Sequence, residues 1–252
     1  MWLIPDQFYW TLMKREIRIR PLDLNVDSLQ KLVVFHRNLF KELPFNKYLI
    51  YFDENFDNFL LNLISTNDNA FYVIYHRENL SGFIHFKLMN DRIFLNNFYT
   101  DESIRGGGMG KLFLKECLSS FVNQLDFIEL DVFDSNRKIV EWYSRIGLII
   151  TCTKKWYFYR IKAISNNLNF EIKADSNGFL GINSNNKKVA TIINDNLFLH
   201  DIDGINSFLN ENQTLLSNLE LESSKNFLIL EKKLLDKSFR MLGEINSVFE
   251  NL

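Results

Sequence analysis

Cysteine is nearly absent: Cys117 and Cys152 are the only two in 252 residues. They have neither metal-ligand nor redox spacing, so they read as two reduced, mostly buried thiols of a cytosolic protein, and no metal is expected. Net charge is also lacking. With 29 Lys and Arg against 31 Asp and Glu, the formal charge is -2, which offers no global basic field and does not favour nucleic acid as a partner. Long apolar runs are missing too. The start, Met1-Trp2-Leu3-Ile4-Pro5, is interrupted at Asp6, and no stretch of signal-peptide or membrane-spanning length follows. A soluble, cytoplasmic protein with no membrane partner is therefore expected. Glycine is sparse, but four of the ten lie within the eight residues Ile104-Arg105-Gly106-Gly107-Gly108-Met109-Gly110-Lys111. The backbone there must turn tightly or come close to something else.

What is present is a chain that is 46% hydrophobic, enough to bury a substantial core in one large domain or two small ones. Residues 92–100 read as a strand entering the glycines. After them, Met109, Phe113, Cys117 and Phe121, with Leu114, Leu118, Val122 and Leu125, form one apolar side of a helix over 109–125. Strand, glycines and helix N-terminus together make an anion site, because free amides and the helix dipole converge on the loop. A Walker A loop would need Gly in place of Arg105 and Ser or Thr in place of Leu112. The dinucleotide fingerprint would need its third glycine at Lys111 or Phe113. The pattern that fits is R-x-x-G-x-G, on Arg105, Gly108 and Gly110.

That loop resembles the pyrophosphate loop of the GNAT superfamily of N-acetyltransferases. The resemblance extends over residues 16–161. Residues 98–105 are similar to the family's strand four and its exit, 130–136 to strand five ending on Asn136, and 136–148, with Tyr143 and Gly147, to the N-x6-Y-x3-G helix. It implies an α/β (α+β) fold, a mixed and mainly antiparallel sheet flanked by helices. It also implies acetyl-CoA as donor and CoA as product. On the family pattern, Arg105, Gly106, Gly107, Gly108, Met109, Gly110 and Lys111 bind the pyrophosphate. Tyr99 and Thr100 offer main-chain contacts to the pantetheine arm and thioester, and Asn136 bonds the arm or caps the following helix. Tyr143 is carried over as the catalytic proton donor, with a phenol packed on the sheet as the plainer reading. Some relatives place a glutamate on strand four where this chain has Phe94, so no carboxylate inherits the role of base. Asp131, Glu129 or a water chain from Asn96 or Asn97 stay open as candidates.

In chain order, residues 16–22 alternate as an opening strand, 27–40 and 55–65 keep helical spacing, and 70–76, 82–89 and 92–100 read as three antiparallel strands. His36, on the apolar face of the first helix, reads as a core or boundary residue. Residues 41–54 mix Phe45, Tyr48, Tyr51 and Phe52 with Glu42, Asp53 and Glu54, a combination suited to a cationic amine or to plain packing. Strand 127–133, helix 136–145, a stop at Gly147 and closing strands over 148–161 complete a first domain, 1–162. Residues 163–252 are expected as a small α+β C-terminal domain, with strands at 170–174, 178–182, 188–193 and 197–200 and a helix at 203–210. It lacks a second R-x-x-G-x-G, and one reading makes it a degenerate copy of the acetyltransferase fold. The expected function is acetyl-CoA-dependent N-acetyl transfer to a primary amine, on a small molecule or a protein, by direct attack in a ternary complex. The alternative is a non-catalytic acyl-CoA-binding or regulatory module.

Overall fold

The computed structural model describes residues 16–163, 170–194, 196–201, 212–224 and 227–252. Strand β1, Ile17–Pro21, precedes helix α1, Leu29–Phe40. This helix begins where the Ser28 hydroxyl accepts from the Lys31 N–H at 3.2 Å, satisfying one of the orphan amides of the first turn. It buries Leu32, Val33, Phe35 and His36 along one stripe. Helix α2, Phe56–Ile64, turns Phe56 and Leu60 into the same core. Strands β2 (Asn69–His76), β3 (Asn79–Leu88) and β4 (Arg92–Thr100) then pair antiparallel through short turns. Helix α3, Met109–Leu118, is shorter than the apolar pattern over 109–125. The chain continues in turns past Ser119 and Ser120, and Asn123 takes a φ of 68° that no helix accepts. Strand β5 (Phe127–Phe133) and helix α4 (Arg137–Arg145) follow as the sequence predicts, and Gly147, at φ 103°, leads the chain out of the helix.

The remaining strands are β6 (Ile149–Ala163), β7 (Glu171–Ala174), β8 (Leu180–Ser184), β9 (Lys187–Ile193), β10 (Asn196–Leu199), β11 (Asn212–Ser217) and β12 (Phe227–Glu244), followed by helix α5 (Ile245–Asn251). All twelve strands join one mixed, mainly antiparallel sheet in the order β1-β2-β3-β4-β5-β12-β6-β11-β10-β9-β8-β7. Two features of its centre shape the cleft. Strands β4 and β5 run parallel and pair only from 92–95 against 127–130, so they part beyond Leu95. In β4, His85 of β3 faces Asn97 while Phe86 faces Leu95, leaving Asn96 as a bulge. One extra residue reverses the alternation. Ile93 and Leu95 point into the core beneath α3 and α4, whereas Tyr99 joins the core beneath α1 and α2.

A boundary at 162 does not describe this sheet. Strand β12 pairs with β5 on one side and β6 on the other, and Met241, Ile245 and Val248 are buried in the same core as Phe113 and Leu114. The C-terminal strand and helix thus complete the first domain, and β7 to β11 are an insertion between β6 and β12. Strands expected at 170–174, 178–182, 188–193 and 197–200 appear as β7 to β10, while the helix expected at 203–210 lies outside the described residues. Among the described residues the regular structure of the insertion is the strands β7 to β11. Strand β12 escapes a sequence reading for a physical reason. Its register shifts at Ile229/Glu231, Leu234/Asp236 and Arg240/Met241 break the period of two that marks a strand. No helix among the described residues is long and apolar enough to cross a membrane.

Candidate active site

The turn into α3 is built by three successive glycines with positive φ: Gly106 at 88°, Gly107 at 48° and Gly108 at 81°. Side chains rarely tolerate this backbone, and a Cβ added at Gly106 or Gly108 would meet nothing within 4 Å, so the loop is bare on its outer side. The Met109 amide is used internally, donating to Gly106 O at 3.1 Å, and its side chain is core. Of the expected loop contacts, Met109 is therefore the one whose N–H is already spent. By contrast, the amides of Gly106, Gly107, Gly108, Gly110 and Lys111 meet no protein acceptor among the described residues. Arg105 closes the loop rather than reaching from it. Its Nε donates to Thr100 O at 2.8 Å, its guanidinium lies 5.5 Å from the Tyr99 ring centre, and Glu102 is 3.7 Å away. Lys111 donates from Nζ to Asn251 O at 3.0 Å, tying α3 to α5.

From this loop a cleft of about 710 Å³ runs between the parted strands β4 and β5. It brings together Tyr99, Thr100, Arg105, Gly106, Gly110, Asn136 and Tyr143, while Gly107, Gly108, Met109 and Lys111 stand outside its lining. Tyr99 offers backbone more than ring: its side chain stacks on Phe35 at 4.7 Å and its hydroxyl accepts from Asn38 Nδ2 at 3.4 Å. Asn136 occupies the N-cap position of α4, and its carbonyl accepts from the Ile139 and Val140 amides, but its side chain makes no capping bond. Tyr143 packs edge-on to Trp142 at 4.9 Å. Burial raises its phenol pKa well above the usual tyrosine range, so it keeps its proton at neutral pH.

The candidate bases are held by a residue to which no sequence signal points. Arg240, from β12, donates to both oxygens of Asp131 at 2.5 and 2.8 Å and reaches Glu129 at 3.4 Å, with its guanidinium 5.0 Å from the Phe94 ring centre. Hydrogen bonding to Asp131 raises the Arg240 pKa further. Nothing in the sequence links position 240 to 131, because β12 and β5 become neighbours only in the folded sheet, where Arg240 and Asp131 pair directly. Asn96 donates from Nδ2 to His85 Nδ1 at 3.1 Å, and His85 Nε2 pairs with Asn69 Oδ1 at 2.6 Å, which fixes a neutral imidazole. Asn97 donates to the Tyr51 hydroxyl at 3.4 Å. His36 is buried, as expected, with Nδ1 donating to Leu32 O at 2.8 Å. Burial pulls His36 down to about 4, and burial together with the nearby His36 pulls His85 down to about 3.

The connection at 41–54 differs from a ring-and-acid box. Phe45 and Tyr48 are buried against the insertion, and Asp53 is buried where it accepts from the Asn55 amide at 2.9 Å. Of this connection Lys41, Glu42 and Leu43 line the cleft, next to Asn38, Leu39 and Phe40 of α1, and packing rather than cation binding accounts for the rings.

Residues 35–148 match the acetyltransferase (GNAT) family model. In fold the chain is similar to the ribosomal-protein-S18-alanine N-acetyltransferase of Escherichia coli, at 10% identity over 91% of this chain and 94% of that one, with a TM-score of 0.48. It is also similar to a spermidine N-acetyltransferase mutant from Vibrio cholerae, at 12% identity over 93% and 96%, with a TM-score of 0.49. A third is a GNAT family acetyltransferase from Elizabethkingia anophelis with acetyl-CoA bound, at 10% identity over 91% and 98% and a TM-score of 0.44. No curated protein sequence matches significantly. With the family match spanning the parted strands, the glycine turn and the helix that carries Tyr143, residues 35–148 are a GNAT acetyltransferase domain.

Proposed function

We propose that the protein is an acetyl-CoA-dependent N-acetyltransferase that acts on a primary amine by direct attack within a ternary complex. Acetyl-CoA supplies an activated acetyl thioester and, at the far end of its arm, a diphosphate. The residues present suit both ends. Amides of Gly106, Gly107, Gly108, Gly110 and Lys111 are free to receive phosphate oxygens, and the N-terminus of α3 adds its dipole. The bare face of Gly106 and Gly108 leaves room for close approach. Main-chain groups of Tyr99 and Thr100, beyond the point where β4 leaves β5, line the gap in which the arm would lie and can polarise the thioester carbonyl.

Tyr143 would give its proton to the departing thiolate, a role that suits a phenol kept protonated by burial. Asp131 and Glu129 are both engaged by the Arg240 guanidinium. The amine would instead reach its neutral form through solvent in the cleft, so kcat/KM should rise with pH toward the acceptor's own pKa. The observation carrying the reading is the run of unpaired amides after Arg105.

Two measurements test it. CoA at about 100 times its dissociation constant should add roughly 2.7 kcal/mol to stability. Thiol release on a panel of amines should appear with wild type and fall sharply with Tyr143→Phe. The locked acids give some weight to a second reading, a non-catalytic acyl-CoA-binding module. Stabilisation by CoA with no thiol release across a broad panel would decide for that reading.

A further inference from the structure

We propose that the inserted strands β7 to β11 set acceptor selectivity by buttressing the cleft wall at 38–43, with Phe198 and Asn194 as positioning residues. This rests on the acetyltransferase reading above. The wall runs from the last turn of α1 into the connection to α2, whose regular structure is two three-residue 3₁₀ turns, Asn46–Tyr48 and Ile50–Phe52. Such turns are short and have poor hydrogen-bond geometry, so the segment needs outside support to hold one shape. Its inner side, Asn38 to Leu43, lines the cleft. Its outer side is covered by the insertion and the strand that carries it.

Three sets of contacts make that cover. Phe45, fully buried, stacks on Trp156 of β6 at 6.0 Å and meets Phe133 edge-on at 5.3 Å, and Trp156 in turn meets Phe198 of β10 at 6.0 Å. The Trp156 ring is fixed by its Nε1–H, which donates to Ser238 Oγ at 2.9 Å. Leu216 of β11 is buried in the same cluster, and β10 packs against the turn at 46–48. Asn194 forms the second set. Its backbone N–H donates to Asp53 Oδ2 at 3.4 Å and its Nδ2 to Phe52 O at 3.1 Å. The third set reaches α2, with Phe179 5.7 Å from Phe59 and Asn62 donating to Asn177 at 2.8 Å.

Among the described residues, none that line the cleft come from the insertion, and the glycine loop is braced separately where Lys111 of α3 bonds Asn251 of α5. The described strands of the insertion therefore support the acceptor wall, with none of their residues in the lining of the cleft. A wall displaced by about 1 Å is enough to change turnover by orders of magnitude, since the amine must be held at attack distance.

The test uses the full-length protein with Phe198→Ala and with Asn194→Gly, which keeps the left-handed backbone at that position, φ 47°. Spermidine, a peptide with a free N-terminus and a peptide with an internal lysine serve as acceptors. The expected result is an acceptor KM raised about tenfold and a changed ranking among the three. The acetyl-CoA KM and the CoA-induced rise in Tm should stay within twofold, and Phe198→Leu should restore most of the loss. An unchanged acceptor KM, or donor and acceptor terms moving together, overturns the proposal. Amide hydrogen exchange judges it independently of turnover. Residues 38–55 should exchange at least about tenfold faster in the variants while 104–118 stay unchanged, and equal or absent changes overturn it. If wild type binds CoA but turns over no amine, the transferase reading fails while the exchange result still decides the buttress.

Discussion

The glycine turn at the donor end of the cleft lies within eight consecutive residues, Ile104 to Lys111, and three of its glycines take positive φ. The acceptor wall at 38–43 is held by residues far away in sequence, such as Asn194, which bonds Phe52 across 142 positions. A loop whose shape is set by three glycines changes little when its surroundings change. A wall held by rings from three other strands takes its shape from them. The same domain can therefore keep one donor while the choice of acceptor follows whatever packs behind the wall.

The largest expected effect comes from His36 and His85, which are buried as neutral imidazoles. Their folded pKa values, about 4 and about 3, lie below the unfolded value near 6.5, so the unfolded chain binds more protons between those limits. Stability is then fully present above about pH 6.5 and falls as pH drops toward 4, by about 1.4 kcal/mol per pH unit for each imidazole. For His36 alone the total is on the order of 3 kcal/mol. Urea melts from pH 7 to 4 should show this slope, and His36→Asn should roughly halve it; a flat profile would contradict the buried neutral pair.

On the donor side, Gly106→Val places a branched side chain at φ 88°, in space that is open in the protein itself. Backbone strain should cost about 1 kcal/mol. CoA affinity should fall at least about 100-fold, or roughly 2.7 kcal/mol, by calorimetry. If CoA binds normally to this variant, the free amides are not its site. Tyr143→Phe should lower kcat about 100-fold while the acetyl-CoA KM stays within about twofold, because only the departing thiolate needs the proton. A parallel loss in both would make the phenol a packing residue. The smallest effect belongs to the seam between the two sides. Arg240→Met leaves Glu129 and Asp131 without their partner and should lower stability by about 1–2 kcal/mol, discounted because the pair is partly solvated. CoA binding should not change, and an equal loss of CoA affinity would mean that the two sides are not independent.

The difference between the two sides also decided what could be read from sequence. The glycine loop, strands β2 to β5, helix α4 and Tyr143 carry their own signals: an alternation, a helical period, a stop at Gly147, or a fixed spacing from the loop. Asn136 and Tyr143 both line the cleft. Strand β12 has no such signal, since three bulges scramble its alternation and its neighbours β5 and β6 lie earlier in the chain. Arg240 was invisible for the same reason, and with it the pairing of Asp131 and Glu129. Aromatics at 45–52 could be read as lining or as packing; Phe45 and Tyr48 pack with the insertion, and Tyr51 packs against His36 and Phe40 of α1.

Placing β12 between β5 and β6 also has a consequence for how the molecule is made. During synthesis, β5 and β6 leave the ribosome with facing edges bare, and the strand that joins them, Phe227–Glu244, is translated only after the whole insertion. Until then the nascent chain carries two open edges able to pair with any passing strand. Slow production near the end of the message should therefore lengthen its reliance on chaperones, and a stop codon placed just before residue 227 should release a product that aggregates.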